Sequence, residues 1–344
     1  IRETQREPMV PALAILATSG GLPRSRIQGE WWVRDRGQLP TSRRRRSVSI
    51  IPARIRSVSG LADISSRLEN WWFAPFNEKR LELFRKAVYL FCIYFGVSNL
   101  THAEELFGPN GYLMPEIYPG WSGWLNSLLS FGGMQSYWWV FVALQLASAI
   151  LGWMGKFRFW SHLVLTLTMM SLVSRTWLMQ TGGHQLLVML MLYLTVYEFG
   201  RMQRNTEWRP VFSRLAFWLC VGQVLLVYLA SSVYKLMGLD WLNGTALKWV
   251  FSIEQFSLHP LTDWITETPW VYKSMTYLSL GYQLLFPVLV FVRPVKKWFL
   301  LLGVLFHLGI AILMGVFDFG VIMVITYFLF VDVRWPFRRR SLSK

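Results

Sequence analysis

Long apolar runs separated by short polar stretches make up most of the chain from about residue 71 onwards. A helix that crosses the hydrocarbon core of a bilayer needs about 20 mostly apolar residues. The runs that approach this length are 81–101, 136–155, 159–178, 183–200, 211–236, 270–292, 297–316 and 317–333, and the last of them is the shortest. The pattern therefore predicts an all-α fold, a polytopic transmembrane helical bundle of about eight spanning helices.

The charges between these runs alternate in sign along the chain. Basic residues precede the first run and follow the second, fourth, sixth and eighth runs. The loop 102–135 contains no Lys or Arg and carries three Glu residues, the loop after the third run has only Arg175, and the seventh has Asp318. Because Lys and Arg accumulate in cytoplasmic loops, the alternation predicts that both termini are cytoplasmic.

The composition is typical of a membrane protein and not of a nucleic-acid-binding protein. Hydrophobic residues make up 53% of the chain and charged residues 16%, whereas a soluble domain carries about 25% charged residues. The net charge of +16 is divided into short clusters between apolar runs, which is typical of cytoplasmic loops. We therefore expect membrane lipid as the surroundings of the chain and no nucleic acid as a partner.

The amino-terminal stretch 1–70 differs from the rest of the chain. It is rich in Arg, contains no Lys, and includes four consecutive Arg residues at 43–46. We interpret it as a basic, disordered cytoplasmic tail that contacts anionic lipid, with a targeting peptide as the alternative. The predicted organisation is this tail, a transmembrane domain over 71–335, and a basic cytoplasmic tail over 336–344.

The sequence contains none of the common catalytic or metal-binding signatures. Cys92 and Cys220 both lie within apolar runs and are expected to be inert core residues rather than a disulfide or metal pair. There is no HExxH pair, no nucleophile elbow, no phosphate-binding loop and no dinucleotide fingerprint. We expect no metal site.

Ionisable residues inside the apolar runs are the candidates for function, because they are costly at membrane depth. Lys235 ends the fifth run, His184 opens the fourth, His307 lies well inside the seventh, and His162 and Glu198 lie near basic loops. Lys235 either extends to the interface or, where burial disfavours its charged form, serves as a base or nucleophile. His184 is either a helix cap or a proton carrier, and His307 is either structural or part of a pocket.

The segment YLASSVYKLMGLDWLNGTALKWV resembles the horizontally transferred transmembrane (HTTM) domain, the membrane domain of vitamin K-dependent gamma-carboxylases and their bacterial relatives. The residues that carry the family pattern are Lys235, Leu236, Asp240, Trp241 and Gly244. Further stretches, such as ELFGPNGYLMPE and GGHQLLVMLMLYLTVYEFGR, are similar to the family in order and spacing. The resemblance covers about residues 71–335.

The resemblance implies that Lys235 is the base that starts oxygenation of a reduced, vitamin K-like quinone, with His184 as its polar helper. In the family, the strong base formed in this way removes a proton from a glutamate side chain, and carbon dioxide adds. It also implies a bacterial inner membrane and a quinone-binding pocket that opens outward near Lys235 and His184. His307 is a possible further pocket residue because of its position within the seventh run. Whether this chain is an enzyme stays open. The alternative is a non-catalytic membrane module, either a scaffold or a small-solute transporter, and no protein partner is indicated.

Overall fold

Helices and the turns between them account for the part of the chain that the computed structural model describes, and no strand occurs there. The described residues are 66, 69–70, 72–74, 76–111, 128, 134–176, 179–203, 207–257 and 260–332. Nearly all of the predicted tail 1–70 and the whole of 336–344 lie outside them. The chain divides into two units at residue 56, and every described residue belongs to the second unit.

Each predicted apolar run corresponds to one of the longer helices, which confirms the all-α prediction. The helices are α1 (Lys79–Ser98), α2 (Ala103–Phe107), α3 (Trp138–Trp153), α4 (Arg158–Arg175), α5 (Gly182–Met202), α6 (Arg209–Leu236), α7 (Leu239–Leu242), α8 (Ala246–Phe251), α9 (Leu261–Glu267), α10 (Pro269–Leu289), α11 (Arg293–Leu313) and α12 (Phe317–Thr326). A 3₁₀ turn, Tyr327–Leu329, extends α12.

Local chemistry explains where several of these helices begin. Pro occupies the first or second position of α6, α10 and α11, where the missing N–H costs nothing and the ring favours helical geometry. α5 begins with a capping box, in which the Thr181 side chain bonds the backbone of His184 and the His184 ring bonds the backbone of Thr181. Helix starts are therefore set by short-range signals as well as by the apolar runs.

Length and composition distinguish two helices as able to cross a membrane. They are α6 and α11. α3 and the segment Phe317–Leu329 are apolar but shorter. The other long helices do not combine the same length and composition; α1, for example, has five charged residues among its first eight.

Neighbouring helices in the chain pack side by side. α1 contacts α3, α3 contacts α4, α4 contacts α5, and α5 contacts α6, which also packs on α10. α12 packs against α11, α5 and α1. We call the end of the bundle that holds Lys79, Arg158, Arg201 and Arg209 the basic end, because ion pairs with Glu78 and Glu82 join the helices there.

The long helices bury polar side chains and expose apolar ones. Large apolar side chains are exposed along α6 and α11, including Leu226, Leu229, Leu305 and Ile312. Buried polar side chains include Arg85, Gln145, Arg175, Glu198 and His307. A water-soluble protein rarely exposes apolar side chains over so large a surface.

The segment between α6 and α10 forms a small layer over the end opposite the basic end. Asn243 and Gly244 form a turn, with Gly244 at φ +74°. The helix after this turn is α8, and a 3₁₀ turn at Glu254–Phe256 follows it. A satellite core of Phe251, Ile265, Val271 and Tyr272 holds this layer together.

Candidate functional site

Lys235 lies in the last turn of α6, and its amine points back along the helix. Nζ donates to Gln283 Oε1 at 2.6 Å and to Ser231 Oγ at 3.3 Å. Ser231 is one turn nearer the basic end, so the amine lies deeper in the bundle than the Lys235 backbone. The side chain is therefore directed into a polar site between α6 and α10 and does not extend beyond the helix end.

Trp241 covers the amine of Lys235 from the far side. Nζ lies 4.7 Å from the centroid of the Trp241 ring, which is within the range of a cation–π contact. Trp241 belongs to α7, the short helix that directly follows α6. The Lys and Trp of the family-like motif are thus brought together by the tight turn between two helices.

Asp240, by contrast, organises the loop that carries this motif. Its Oδ1 accepts hydrogen bonds from Thr245 Oγ1 at 2.8 Å and from Trp249 Nε1 at 3.1 Å. These bonds fix the start of α8. Leu236, the neighbour of Lys235, is partly exposed and takes no part in the polar site.

Gly244 is required by both its conformation and its neighbours. Its φ of +74° is strained for any residue with a Cβ. A Cβ at this position would also lie about 2.9 Å from the ring of Tyr277, whose hydroxyl donates to the Leu242 carbonyl at 2.9 Å. The motif glycine therefore allows α10 to approach the loop.

His307 belongs to a buried row of hydrogen-bonded aromatic side chains. His307 Nε2 lies 2.7 Å from Tyr228 Oη, Tyr228 Oη lies 2.7 Å from Tyr327 Oη, and Tyr327 Oη lies 2.8 Å from Tyr282 Oη. All four side chains are buried. We call this row the tyrosine–histidine cluster.

The tyrosine–histidine cluster lies close to Lys235. Tyr282 directly precedes Gln283, the partner of Lys235, and Tyr228 lies two helical turns before Lys235 on α6. His307 Nδ1 has no hydrogen-bond partner among the described residues. The hydroxyls of Tyr282 and Tyr327 lie against Gly303. A Cβ at position 303 would collide with both of them.

The three tyrosines are functional candidates that the sequence reading missed. A signal for one of them was present, since Tyr228, Ser231, Ser232 and Lys235 recur at helical spacing and form one polar stripe on α6. Tyr282 and Tyr327 carry no comparable signal, because tyrosine is common in apolar helices at interfaces.

His184 occupies a different site, at the start of α5. Nε2 lies 3.1 Å from Asp318 Oδ2, and Nδ1 lies 3.2 Å from Thr181 Oγ1. His184 and Asp318 line a cavity of about 100 Å³ together with Phe95, Asn99 and Gln180. His184 is thus a helix cap and also part of a cavity wall.

The hydrogen-bond partners of Lys235 and His184 do not overlap. Lys235 is held by α6 and α10, whereas His184 is held by Thr181 and by Asp318 at the start of α12. The structure places Lys235 with Gln283, and it places His184 with Asp318. The sequence predicted that His184 assists Lys235, but the two residues are not hydrogen-bonded to each other.

The basic end contains a network of partly and fully buried ion pairs, whose arginines the sequence reading treated as loop charges. Arg158 donates to both oxygens of Glu82, at 3.3 and 2.9 Å, and to both oxygens of Glu198, at 2.9 and 3.0 Å. Arg85 donates to Glu82 at 2.6 Å through Nη2. Glu198 is fully buried, so these guanidinium groups provide the partners that a buried carboxylate needs.

A second part of the network ties α5 and α6 to the residue before α1. Glu78 accepts from Arg209 at 3.0 and 2.8 Å, from Arg201 at 2.5 Å and from Ser213 at 2.9 Å. Burial raises the pKa of Glu78, but the hydrogen bonds from Arg209 and Ser213 and the positive charges of Arg209 and Arg201 outweigh it, so this pKa lies below 4.5. Glu78 is therefore an ionised carboxylate near neutral pH.

The remaining candidates are structural. His162 is fully buried between Tyr89 Oη and the Met191 carbonyl, each 2.9 Å away. Cys92 and Cys220 are free and buried. Within the described ranges, no three His, Cys, Asp or Glu side chains lie together as a metal site would require.

No family model, no curated protein and no solved structure matches this chain.

Proposed function

We propose that this chain is an integral membrane protein of the HTTM, vitamin K-dependent carboxylase-like family, in which Lys235 serves as a base towards a reduced quinone-like lipid. The main observation that supports this proposal is the direction of the Lys235 side chain. Its amine lies against Gln283 and Ser231, under the Trp241 ring. An amine held in this way is directed into the bundle and does not extend beyond the helix end.

The membrane part of the proposal rests on the distribution of side chains. Exposed apolar side chains on α6 and α11 suit contact with acyl chains, and buried ion pairs satisfy the charged groups inside the bundle. We propose eight spanning helices with both termini cytoplasmic, because the basic end holds the Lys- and Arg-rich loops. The proposed location is a bacterial inner membrane.

The chemistry asked of Lys235 is one proton transfer. A hydroquinone hydroxyl loses its proton to the neutral amine, so that an O–H bond breaks and an N–H bond forms. The resulting ammonium would be held by Gln283 Oε1, Ser231 Oγ and the Trp241 ring, which are all able to stabilise a cation. The hydroquinone anion left behind is more easily oxidised than its neutral form.

His184 enters the proposal through the outward-opening cavity. Its ring and Asp318 line a wall that also contains Phe95 and Gln180, a mixture of aromatic and polar groups that suits an aromatic lipid head group. His184 would therefore contribute to binding of the head group and would take no part in the proton transfer. His307 belongs to the tyrosine–histidine cluster, whose Tyr228 lies on the same helix as Lys235.

Purified full-length protein tests this proposal directly. We expect the wild-type chain to retain a quinone-like lipid and to oxidise added hydroquinone in the presence of dioxygen. We expect the oxidation rate of Lys235→Ala to be at least about 100-fold lower. This is the lower end of the usual contribution of a general base, which is about 10²–10⁴-fold. The matched control is Lys273→Ala, which removes an exposed Lys from α10. Equal rates for wild-type and Lys235→Ala would refute the role of Lys235.

One observation favours the alternative of a small-solute transporter. Buried polar groups occur at both ends of the bundle and also in between, where the tyrosine–histidine cluster lies. A chain of such groups across the bilayer is typical of proton and solute pathways. Proteoliposomes that take up protons or solute without any hydroquinone would support this alternative over the enzyme.

A further inference from the structure

A second cavity, of about 280 Å³, lies at the basic end beside the turn between α3 and α4. Its lining contains the aromatic residues Phe157, Phe159 and Trp160, the basic residues Arg158 and Arg201, and the acidic residue Glu198. We call it the basic-end cavity. Because Glu198 is ion-paired with Arg85 and Arg158, the lining combines apolar residues with an Arg201 charge that Glu198 does not match.

The ion pairs around the basic-end cavity leave one positive charge in excess. Glu82 and Glu198 are matched by Arg85 and Arg158, two carboxylates against two guanidinium groups. Glu78 alone is shared by Arg201 and Arg209, one carboxylate against two guanidinium groups. The excess is therefore located on the side of the network to which Arg201 belongs.

Arg201 uses only part of its hydrogen-bonding capacity within the protein. Its Nη1 donates to Glu78 and to Tyr197, at 2.5 and 3.2 Å. A guanidinium group has five N–H donors, and the fork formed by the others suits the oxygens of a phosphate. Arg201 both lines the cavity and carries the excess charge, which makes it the group that an anion would meet.

The aromatic rim of the cavity is held outward at an energetic cost. Phe157 has a φ of +49°, a left-handed conformation that is unfavourable for a residue with a side chain. Its side chain is 74% exposed, and that of Trp160 is 61% exposed. Strained, exposed aromatic residues next to a charged cavity are a pattern found at binding sites, and here they suit an acyl chain or glycerol group.

We propose that the basic-end cavity binds an anionic phospholipid of the inner leaflet, with its phosphate on Arg201 and its glycerol and acyl groups against Phe157 and Trp160. The apolar rim favours a lipid over free phosphate, which would gain nothing from aromatic walls. The excess positive charge favours an anionic lipid over a zwitterionic one. The proposal rests on the membrane location in the proposed function, and it is independent of the chemistry of Lys235.

Lipid retention by the purified full-length protein tests the site. Protein in detergent is mixed with phosphatidylglycerol or with phosphatidylcholine of the same acyl chains, and bound lipid is counted by native mass spectrometry. We expect tight retention of one phosphatidylglycerol and weaker retention of phosphatidylcholine. Arg201→Gln should weaken phosphatidylglycerol binding about tenfold, the effect of losing one charge-assisted contact.

Two further variants keep the test decisive. Arg293→Gln removes an exposed Arg from the start of α11 and should bind phosphatidylglycerol like the wild type. Trp160→Ala alters an exposed side chain, leaves the ion pairs intact, and should weaken retention a few-fold even if Arg201→Gln does not fold. Equal retention of both lipids, or unchanged retention in Trp160→Ala and a folded Arg201→Gln, would overturn the proposal.

Competition separates the two sources of phosphate. Complete displacement of phosphatidylglycerol by millimolar inorganic phosphate would show a free-anion site and overturn the lipid proposal, whereas persistence of the lipid supports it. Lys235→Ala should retain phosphatidylglycerol, and Arg201→Gln should leave hydroquinone oxidation unchanged. A failure of lipid binding is therefore distinguishable from a failure of the proposed function.

Discussion

The direction of the Lys235 side chain follows from the direction of its helix. In an α-helix each Cα–Cβ bond tilts towards the amino terminus. α6 begins at the basic end with Arg209 and ends with Leu236, so a side chain in its last turn tends to point back into the bundle. A Lys at the start of a helix at this same end of the bundle would instead point outward. The inward amine is thus favoured by helix geometry and fixed by Gln283.

Gly244 provides a test of how the motif around Lys235 is built. We expect Gly244→Ala to destabilise the protein by about 1–2 kcal/mol from the left-handed backbone alone, with an additional cost from the contact with Tyr277. Gly222, in the middle of α6, has open space where a Cβ would lie, so Gly222→Ala should stabilise the helix by about 1 kcal/mol.

Thermal unfolding of the two glycine variants in the same detergent provides the measurement. The melting temperature should fall for Gly244→Ala and should hold or rise for Gly222→Ala. If both variants melt together with the wild type, the tight approach of Tyr277 to the loop is not a stabilising feature.

At the scale of elements, α6 is the helix on which the site depends. One face carries Tyr228, Ser231, Ser232 and Lys235, and it meets α10 and the tyrosine–histidine cluster. Its other end begins with Arg209 and Ser213, which bind Glu78. A single helix therefore links the Lys235 site to the ion pairs of the basic end.

The attachment of α1 to α5 and α6 should depend on pH through Glu78. The pKa of Glu78 is lower in the folded protein than in the unfolded chain, so the stabilisation is complete above about pH 4.5 and is lost as the pH falls through the folded-state pKa. We expect the unfolding temperature to drop below about pH 4.5, and Glu78→Gln to make this drop shallower.

Other carboxylates also titrate in this pH range. The test therefore compares how steeply the unfolding temperature falls with pH in the wild type and in each variant. Glu254→Gln, which alters an exposed Glu in the 3₁₀ turn after α8, is the matched control and should keep the wild-type slope. A wild-type slope in Glu78→Gln would contradict the role given to Glu78.

At the scale of the whole molecule, the proposed eight-span topology makes a labelling prediction. The two native cysteines are buried, so an introduced cysteine reports its own position. Lys156→Cys, in the turn between α3 and α4, should react only with a reagent that reaches the cytoplasm. Asn110→Cys, in the exposed turn after α2, should react with an impermeant reagent in intact cells.

Labelling of both cysteines from the same side would contradict the alternating topology. The two positions are separated by α3, together with residues outside the described ranges, so the prediction requires an odd number of crossings between them. Pre-treatment with an impermeant blocking reagent, followed by permeabilisation, distinguishes an inside position from an unreactive one.

The helix positions could be predicted closely, and their exact ends could not. The predicted run 297–316 is α11 at Arg293–Leu313, and the predicted 317–333 is α12 with its 3₁₀ turn, Phe317–Leu329. Hydropathy marks where a helix is apolar, but backbone hydrogen bonding continues into charged residues such as Arg293, where Pro294 favours a helix start. The ends are therefore set by capping and not by hydropathy.

The candidate site was predicted in part. Lys235 and Trp241 are in contact, His307 lies in the tyrosine–histidine cluster, and His184 lines a cavity with Asp318. The tyrosine–histidine cluster could not be predicted, because a phenol in an apolar helix looks the same whether it meets lipid or another phenol. The basic-end cavity was equally hidden, since its arginines look like ordinary loop charges.

The sequence by itself determined that the chain is helical, where its helices lie and how its charges alternate, because these properties depend on residues close together in the chain. Only the tertiary structure decided which side chains meet. Lys235 and Gln283 are 48 residues apart, Arg158 and Glu82 are 76 apart, and Tyr228 and His307 are 79 apart. Such contacts depend on how helices pack and rotate against one another, and a hydropathy pattern does not fix that rotation. The inward amine of Lys235, the buried ion pairs and the tyrosine–histidine cluster all result from it.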